Sequence, residues 1–421
     1  MVTRVSAATV RQPSHWPVLA GRPSLLGDLN AATVWAGLTA FAWFAFGMVP
    51  LQVVATAKLG LGPGAAASLM CSVWLAGAVA TAALSLAYRQ PIPITWSTAA
   101  LIYLVAMAGR FSLAELMGAN LVAGVLIVLL ALFGVGKRLL VWLPVPIVMG
   151  MFAGSVLGDM TRMVAATRAD GLVVGATVAG YLLGRRLQSP RIPPLGLAVI
   201  AGALAIVIAH RAAPAPVSWS LPTLAVPAMR FSLPAIVAVS LPLVVLAMGL
   251  GNVQGLGFLH AQGYRVRATP VTLVVGLTSV VSALFGGHPA NVSRFGVAVL
   301  AGADAGPRAC RYWATLIASA LMVLLALTAR PMTSLLASVP PSYIVALAGL
   351  AILTAFQDAL GQAFGGSLRF SAMIAFVVAA SSFSYAGLPS ACWALVAGLA
   401  ASLLTEQSEL LAYWRRPAPA S

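Results

Sequence analysis

The chain is short of charge. Asp, Glu, Lys and Arg make up 8% of its residues, against about 25% in a typical soluble domain. Acids are the scarcest part, at 8 residues against 24 Lys and Arg. Such a chain cannot cover a water-facing surface, which excludes a soluble globular fold. Of the 3 cysteines, Cys71 and Cys392 lie in apolar runs and Cys310 in a basic loop. That spacing excludes a disulfide framework and a cysteine metal site. There is no Gly-Lys-Ser/Thr phosphate loop, no metal-ligand pair on a helix and no nucleophile elbow with partners. Nothing therefore predicts an enzyme, a cofactor, a bound metal or ATP as an energy source. The formal charge of +16 is scattered singly through short loops, not gathered in a stripe, which argues against a nucleic-acid partner.

What is present is apolar length. Hydrophobic residues make up 61% of the chain and the mean hydropathy is +0.99. They fall in separate blocks, and about 20 apolar residues cross a bilayer. Breaks at charges, Pro and Gly give about fourteen segments, the first near Val34 and the last near Pro389. The polar start, with Arg4, Arg11 and Arg22, has no apolar core with a cleavage site and reads as a cytoplasmic tail. An even count with that tail inside puts Arg89, Lys137, Arg138, Arg185, Arg186, Arg191, Arg265, Arg267, Arg308, Arg311, Arg369, Arg415 and Arg416 inside. It leaves Lys58, Arg110, Arg162, Arg168, Arg211, Arg230 and Arg330 outside. The bias is about two to one in the direction of the positive-inside rule. The expectation is an all-α, multi-pass protein of the cell (inner) membrane with both termini cytoplasmic.

The segments repeat. Pro146-Ile-Val-Met-Gly-Met-Phe-Ala-Gly154 is matched by Pro341-Ser-Tyr-Ile-Val-Ala-Leu-Ala-Gly349, about 195 residues on. The same offset sets Trp96-Ser97-Thr98 beside Asn291-Val292-Ser293, and Gly47 to Gln52 has a looser match in Gly249 to Gln254. Seven segments per half is odd, so the second half is expected to be inverted, the pattern of secondary transporters. The division is a tail at 1–28, a first repeat at 29–212, a linker at 213–232, a second repeat at 233–414 and a tail at 415–421.

Segments three and ten are broken. Pro91-Ile-Pro93 favours extended backbone, after which Ser97 can cap a helix. Gly286-Gly287 permits a sharp entry, after which Pro289 or Asn291 can open a helix. Two half-helices starting at mid-membrane would aim free N–H groups at a shared cavity. Arg294 sits one turn into the second, in an otherwise uncharged run. A buried cation there marks a binding site, unless it snorkels or meets an acid. Only Asp159 and Asp358 lie deep enough to compete, so Arg294 is expected to want an anionic ligand. His288 either carries a coupling proton or caps backbone carbonyls. Asn252 and Gln254 either bind a ligand or join helices. Ser97, Thr98, Asn291 and Ser293 flank the helix starts, where Ser and Thr hydroxyls also serve as caps. Trp43, Phe46, Trp96, Phe285 and Phe295 either pack internally or touch a ligand.

At these residues the sequence resembles the benzoate:proton symporter family. The resemblance rests on Trp96-Ser97-Thr98 after Arg89-x-Pro-x-Pro93, the Pro144-x-Pro146 helix start, and Met248 to Tyr264 with Asn252 and the closing Ala-x-Gly-Tyr. It also rests on Phe285-Gly-Gly-His288 followed by Asn291, Arg311-Tyr-Trp-Ala314 and Val339-Pro-Pro, and it runs from about Leu29 to Leu404. It implies the fold shared by nucleobase and sulfate-permease transporters, with a core of segments one to four and eight to eleven sliding against a gate of the rest. It also implies a site between half-helices three and ten, and commonly a homodimer. Two departures stand out. Arg294 stands where the family has a small or apolar residue, and the Ser293-Arg294 pair looks more like the sulfate-permease and prestin group. Gly251 and Gln254 replace a Gln and a Pro around Asn252. Segments eight and ten lack the glutamates of proton-coupled nucleobase carriers.

The expected function is secondary transport of a small organic anion, benzoate or a similar aromatic carboxylate, with a proton. Arg294 and the half-helix starts would hold the carboxylate. Ser97, Thr98, Asn252, Gln254, Asn291 and Ser293 would orient it, and Phe46 or Phe295 would pack its ring. The alternatives are an inorganic-anion carrier, an anion channel or a nucleobase transporter.

Overall fold

The computed structural model describes residues 25–134, 144–187, 194–211, 219–334, 339–381, 383–385 and 388–415. The tail at 1–24, and Lys137, Arg138, Arg191 and Arg416 from the charge pattern, lie outside the described residues.

Among the described residues, six helices are long and apolar enough to cross a bilayer. They are α1 (Ala31–Lys58), α2 (Pro63–Tyr88), α4 (Leu113–Leu132), α5 (Val145–Ala166), α8 (Leu233–His260) and α13 (Pro341–Phe364). At 1.5 Å per residue even the shortest is about 30 Å long, the thickness of the hydrocarbon core. Six shorter helices stand among them: α6 (Gly171–Leu187), α7 (Pro194–Ile208), α9 (Ala268–Leu284), α11 (Tyr312–Leu327), α14 (Arg369–Ala380) and α15 (Ser390–Thr405). The half-helices are α3 (Thr98–Ala106) and α10 (Arg294–Leu300). Two short α-helices are also described, α12 (Ala329–Ser334) and α16 (Gln407–Arg415).

The helix starts follow local rules. Pro opens α2, α5, α8 and α13 at the first or second position, where its missing N–H costs nothing. Asn30 with Thr33, and Ser112 with Glu115, form reciprocal caps on α1 and α4. Helix α1 widens into a π turn at Phe44–Met48, just before Pro50, and α8 does so at Ile236–Ser240, just before Pro242. A proline cannot supply the regular i−4 bond, and a π turn absorbs the loss. A second π turn in α8 spans Leu246–Asn252. Phe44 precedes Leu246 by the same spacing that separates Gly47 and Gln52 from Gly249 and Gln254.

The broken segments meet at the centre. Strands β1 (Ile94–Trp96) and β2 (Ala290–Val292) pair antiparallel, with Thr95 opposite Asn291. The pairing is closed at both ends by matching bonds. The Ser97 amide donates to Pro289 O at 2.7 Å, and the Ser293 amide donates to Pro93 O at 2.9 Å. Ser97 then caps α3 by accepting from the Ala100 amide, and Ser293 caps α10 by accepting from the Gly296 amide. This corrects two expectations. The second half-helix opens after Ser293, not at Pro289 or Asn291, because 290–292 is extended to pair with β1. By these bonds the partner of Ser97 is Ser293, one residue beyond the offset of the sequence match.

Packing falls into two groups. In the first, α4 packs on α9, α2 on α11 and α9, and α1 on α11; in the second, α5 packs on α13 and α14, α6 on α7, and α14 on α15. Close approach needs glycine. A Cβ at Gly124 would lie 2.9 Å from Val280 N, and one at Gly276 would lie 2.8 Å from Val128 N, so α4 and α9 touch backbone to backbone.

Candidate functional site

The strand crossing is held by side chains from three surrounding helices. Thr81 Oγ1 of α2 accepts from the Ile94 amide at 2.8 Å and donates to Ile94 O at 2.9 Å. Ser279 Oγ of α9 accepts from the Ala290 amide at 2.9 Å. Asn252 Oδ1 of α8 accepts from the Val292 amide at 2.9 Å. Buried backbone needs such partners. Asn252 is itself buried and is not on the cavity wall, so the structure uses it to hold β2 and does not offer it to a ligand.

Beside the crossing lies a cavity of about 230 Å³, walled by α1, β1–α3, α6, α7, α8, β2–α10 and α13. Ser97, Thr98, Gln254, Asn291, Ser293, Arg294 and Phe295 all reach it. Seven of the sequence-predicted residues, drawn from three distant stretches, are thus brought together. Each capping Ser keeps its own hydroxyl hydrogen available. The first amides of each half-helix have no intrahelical partner.

Arg294 dominates the polar wall. Its Nη1 donates to Gln254 Oε1 at 3.1 Å, and its Nη2 pairs with Asp358 Oδ2 on α13. The guanidinium carbon lies 4.8 Å from the Phe295 ring centroid, a cation–π distance. This corrects the expectation that Arg294 lacks a protein partner. Asp358 reaches it from the other packing group, a contact that no sequence spacing encodes. The pair is not sealed, with side chains 30% and 34% exposed.

The aromatic wall also differs. Trp43 stacks on Phe295 at 5.6 Å between centroids and 13° between planes. Phe46 is 49% exposed and off the wall. Trp43, Gly47, Met48 and Leu51 face the cavity instead. The π turn explains this, since i→i+5 winding moves the residues sharing Trp43's face from i+3 towards i+4 and i+5.

His288 is fully buried and not on the cavity wall. Its ring stands edge-on to Trp96 at 5.2 Å, and neither nitrogen hydrogen-bonds to the described residues. It therefore does not cap the carbonyls of the broken segment.

Sequence reasoning missed the contribution of α6. Tyr181 and Arg185 line the cavity, and Tyr181 Oη shares a hydrogen bond with Thr354 Oγ1 of α13 at 3.3 Å. Arg185 lies in a basic cluster that signals orientation, and its spacing of four from Tyr181 is the only local sign of a shared face. Arg294 and Asp358 form an ion pair on the described wall, and Arg185 adds an exposed positive charge. Such a wall favours a small anion with an apolar body.

The chain is 29% identical over 333 residues to the inner membrane protein YdcO of Escherichia coli, covering 78% of this chain and 84% of that protein. It is 26% identical over 336 residues to the benzoate membrane transport protein of Acinetobacter baylyi, covering 79% and 85%. The fold resembles the transmembrane domain of the cyanobacterial bicarbonate transporter BicA, with a TM-score of 0.56 at 15% identity over 92% of this chain and 98% of that one. It also resembles the murine anion transporter Slc26a9 in its inward-facing state, with a TM-score of 0.58 at 13% identity over 90% and 69%. The model of the family described as benzoate membrane transport protein matches residues 27–404, and the chain belongs to that family of multi-pass membrane transporters.

Proposed function

We propose that the chain is a secondary carrier of a small organic anion, benzoate or a similar aromatic carboxylate, moved together with a proton. The observation that carries this reading is the cavity wall. Arg294 sits between a polar side, with Gln254, Ser97 and Ser293, and an aromatic side, with Trp43 and Phe295. A carboxylate suits the guanidinium fork, and a flat ring suits the aromatic pair. The Acinetobacter relative is by name a benzoate transporter.

The fourteen-segment, twice-seven architecture remains part of this proposal, as do the homodimer and the cytoplasmic termini. The reciprocal Ser97 and Ser293 bonds support the inverted repeat. The two packing groups support a core that slides against a gate. The wall includes Arg185 at the end of α6 and Pro194 at the start of α7, so the cavity reaches the side assigned to the cytoplasm.

Uptake of radiolabelled benzoate into proteoliposomes under an inward proton gradient tests the function. Accumulation above the no-gradient control is expected. Transport of sulfate or a nucleobase with no carboxylate uptake would overturn the substrate class. The second reading is an inorganic-anion carrier. It is favoured by the Ser293-Arg294 pair and by the fold shared with the bicarbonate transporter BicA and the anion transporter Slc26a9, and disfavoured by the stacked Trp43 and Phe295.

A further inference from the structure

The Arg294–Asp358 pair joins the two packing groups inside the cavity. Arg294 begins α10 in one group, and Asp358 stands on α13 in the other. Both side chains are about a third exposed, so a solute in the cavity can reach the pair. A cargo carboxylate and the Asp358 carboxylate then compete for the same guanidinium face. We infer that Asp358 is the proton carrier of the transport cycle: cargo displaces it from Arg294, and the displaced carboxyl takes up the coupled proton. The inference rests on the carboxylate-carrier reading.

The charge balance decides where the proton goes. In the empty carrier Arg294 and Asp358 form a neutral pair. When a cargo anion takes Asp358's place on the guanidinium, one positive charge faces two carboxylates. Carrying that extra charge across a low-dielectric barrier is costly. A half-buried carboxylate that has lost its counter-ion is neutralised by binding a proton. The proton comes from water in the cavity and binds an Asp358 oxygen, while the cargo carboxylate accepts the Nη donors. The loaded cluster is neutral again, with one anion and one proton aboard. Breaking the pair also removes a tie between the groups, so the same exchange frees them to move.

The surroundings single out Asp358. On the cavity wall it faces Arg294 from α10, and Arg185 and Tyr181 from α6. The described wall residues from α1, β1, α3, α7, α8 and β2 include no titratable side chain, and no α5 residue is on the wall. Arg185 is exposed, and water screens its charge. His288, the earlier candidate, is buried behind Trp96 and off the wall.

The test counts protons taken up when benzoate binds to the purified protein, by titration calorimetry in buffers of different ionisation enthalpy. The wild type is expected to take up about one proton per benzoate near neutral pH. Asp358→Asn is expected to bind benzoate with no proton uptake and with an affinity that no longer depends on pH, and Asp358→Glu restores uptake. Infrared difference spectra of the wild type read the same event without a variant, as a protonated-carboxyl band that appears with benzoate. Benzoate binding without proton uptake or without that band overturns the inference and leaves the carboxylate reading standing. Undiminished proton uptake by Asp358→Asn overturns it as well. A wild type that binds no carboxylate overturns the carrier reading, and the inference falls with it.

Discussion

Asn252 holds the second strand by a single atom, its Oδ1 accepting the Val292 amide at 2.9 Å. Both residues are buried. Asn252→Ala leaves that amide without a partner, a loss of about 1–3 kcal/mol. The expected result is a lower melting temperature in detergent together with weaker benzoate binding, because β2 carries Asn291 and leads into Arg294. A variant with weaker binding and an unchanged melt would instead make Asn252 a ligand contact.

Arg294 is expected to behave differently. Arg294→Gln removes the cation and keeps a shorter polar side chain. A hydrogen bond to a charged group contributes about 1.5–3 kcal/mol, so benzoate affinity is expected to fall by about 10- to 100-fold. Arg294→Lys keeps the charge but not the fork, and is expected to recover only part of the affinity. Binding isotherms of both variants decide the matter. Unchanged affinity with a lowered melt would mean that Arg294 serves only to hold α10 against α13.

What the sequence made legible were the local rules. Pro91-x-Pro93 and Gly286-Gly287 pointed to extended entries, and Ser97 to a cap, because backbone restriction and capping act over a few residues. The exchanged amide bonds of Ser97 and Ser293 were hidden, since matching letters sees Ala, Gly and Pro and not which carbonyl each amide meets. That is why the sequence match fell one residue short. Asp358 was visible as a deep acid, but its pairing with Arg294 depends on how two packing groups meet. Phe46 is the residue the sequence reading places against the ligand's ring, but the π turn puts Trp43 on the wall instead.

The start of α14 is clamped by an acid. Glu406, in the turn between α15 and α16, accepts from the amides of Phe370 and Ser371 and from Ser371 Oγ at the start of α14. Burial would raise this carboxyl, but the hydrogen bonds outweigh it and hold it below its ordinary value of 4.5. A carboxyl depressed in the folded state contributes stability above its unfolded value and loses it as pH falls through the folded one. The wild type is therefore expected to lose melting temperature as pH drops below 4.5. Glu406→Gln should melt lower at pH 7 and converge with the wild type in acid. Parallel melting curves across that range would show that the clamp does not contribute.

Gly251 stands where the family resemblance implies Gln, and the reason is spatial. A Cβ built on Gly251 would collide with the Asn291 side chain, including its Cβ. Asn291 is paired to Thr95 across the strands and cannot move aside freely. Gly251→Ala is therefore expected to push β2 away from α8, strain the Asn252–Val292 bond and weaken benzoate binding. Removing the obstructing side chain should undo this, so Gly251→Ala with Asn291→Gly is expected to bind better than Gly251→Ala alone. A double-mutant cycle on benzoate affinity measures the coupling, and contact pairs of this kind interact by about 0.5–3 kcal/mol. Additive losses would mean that the two residues act separately, and that the glycine is there for the helix and not for its neighbour.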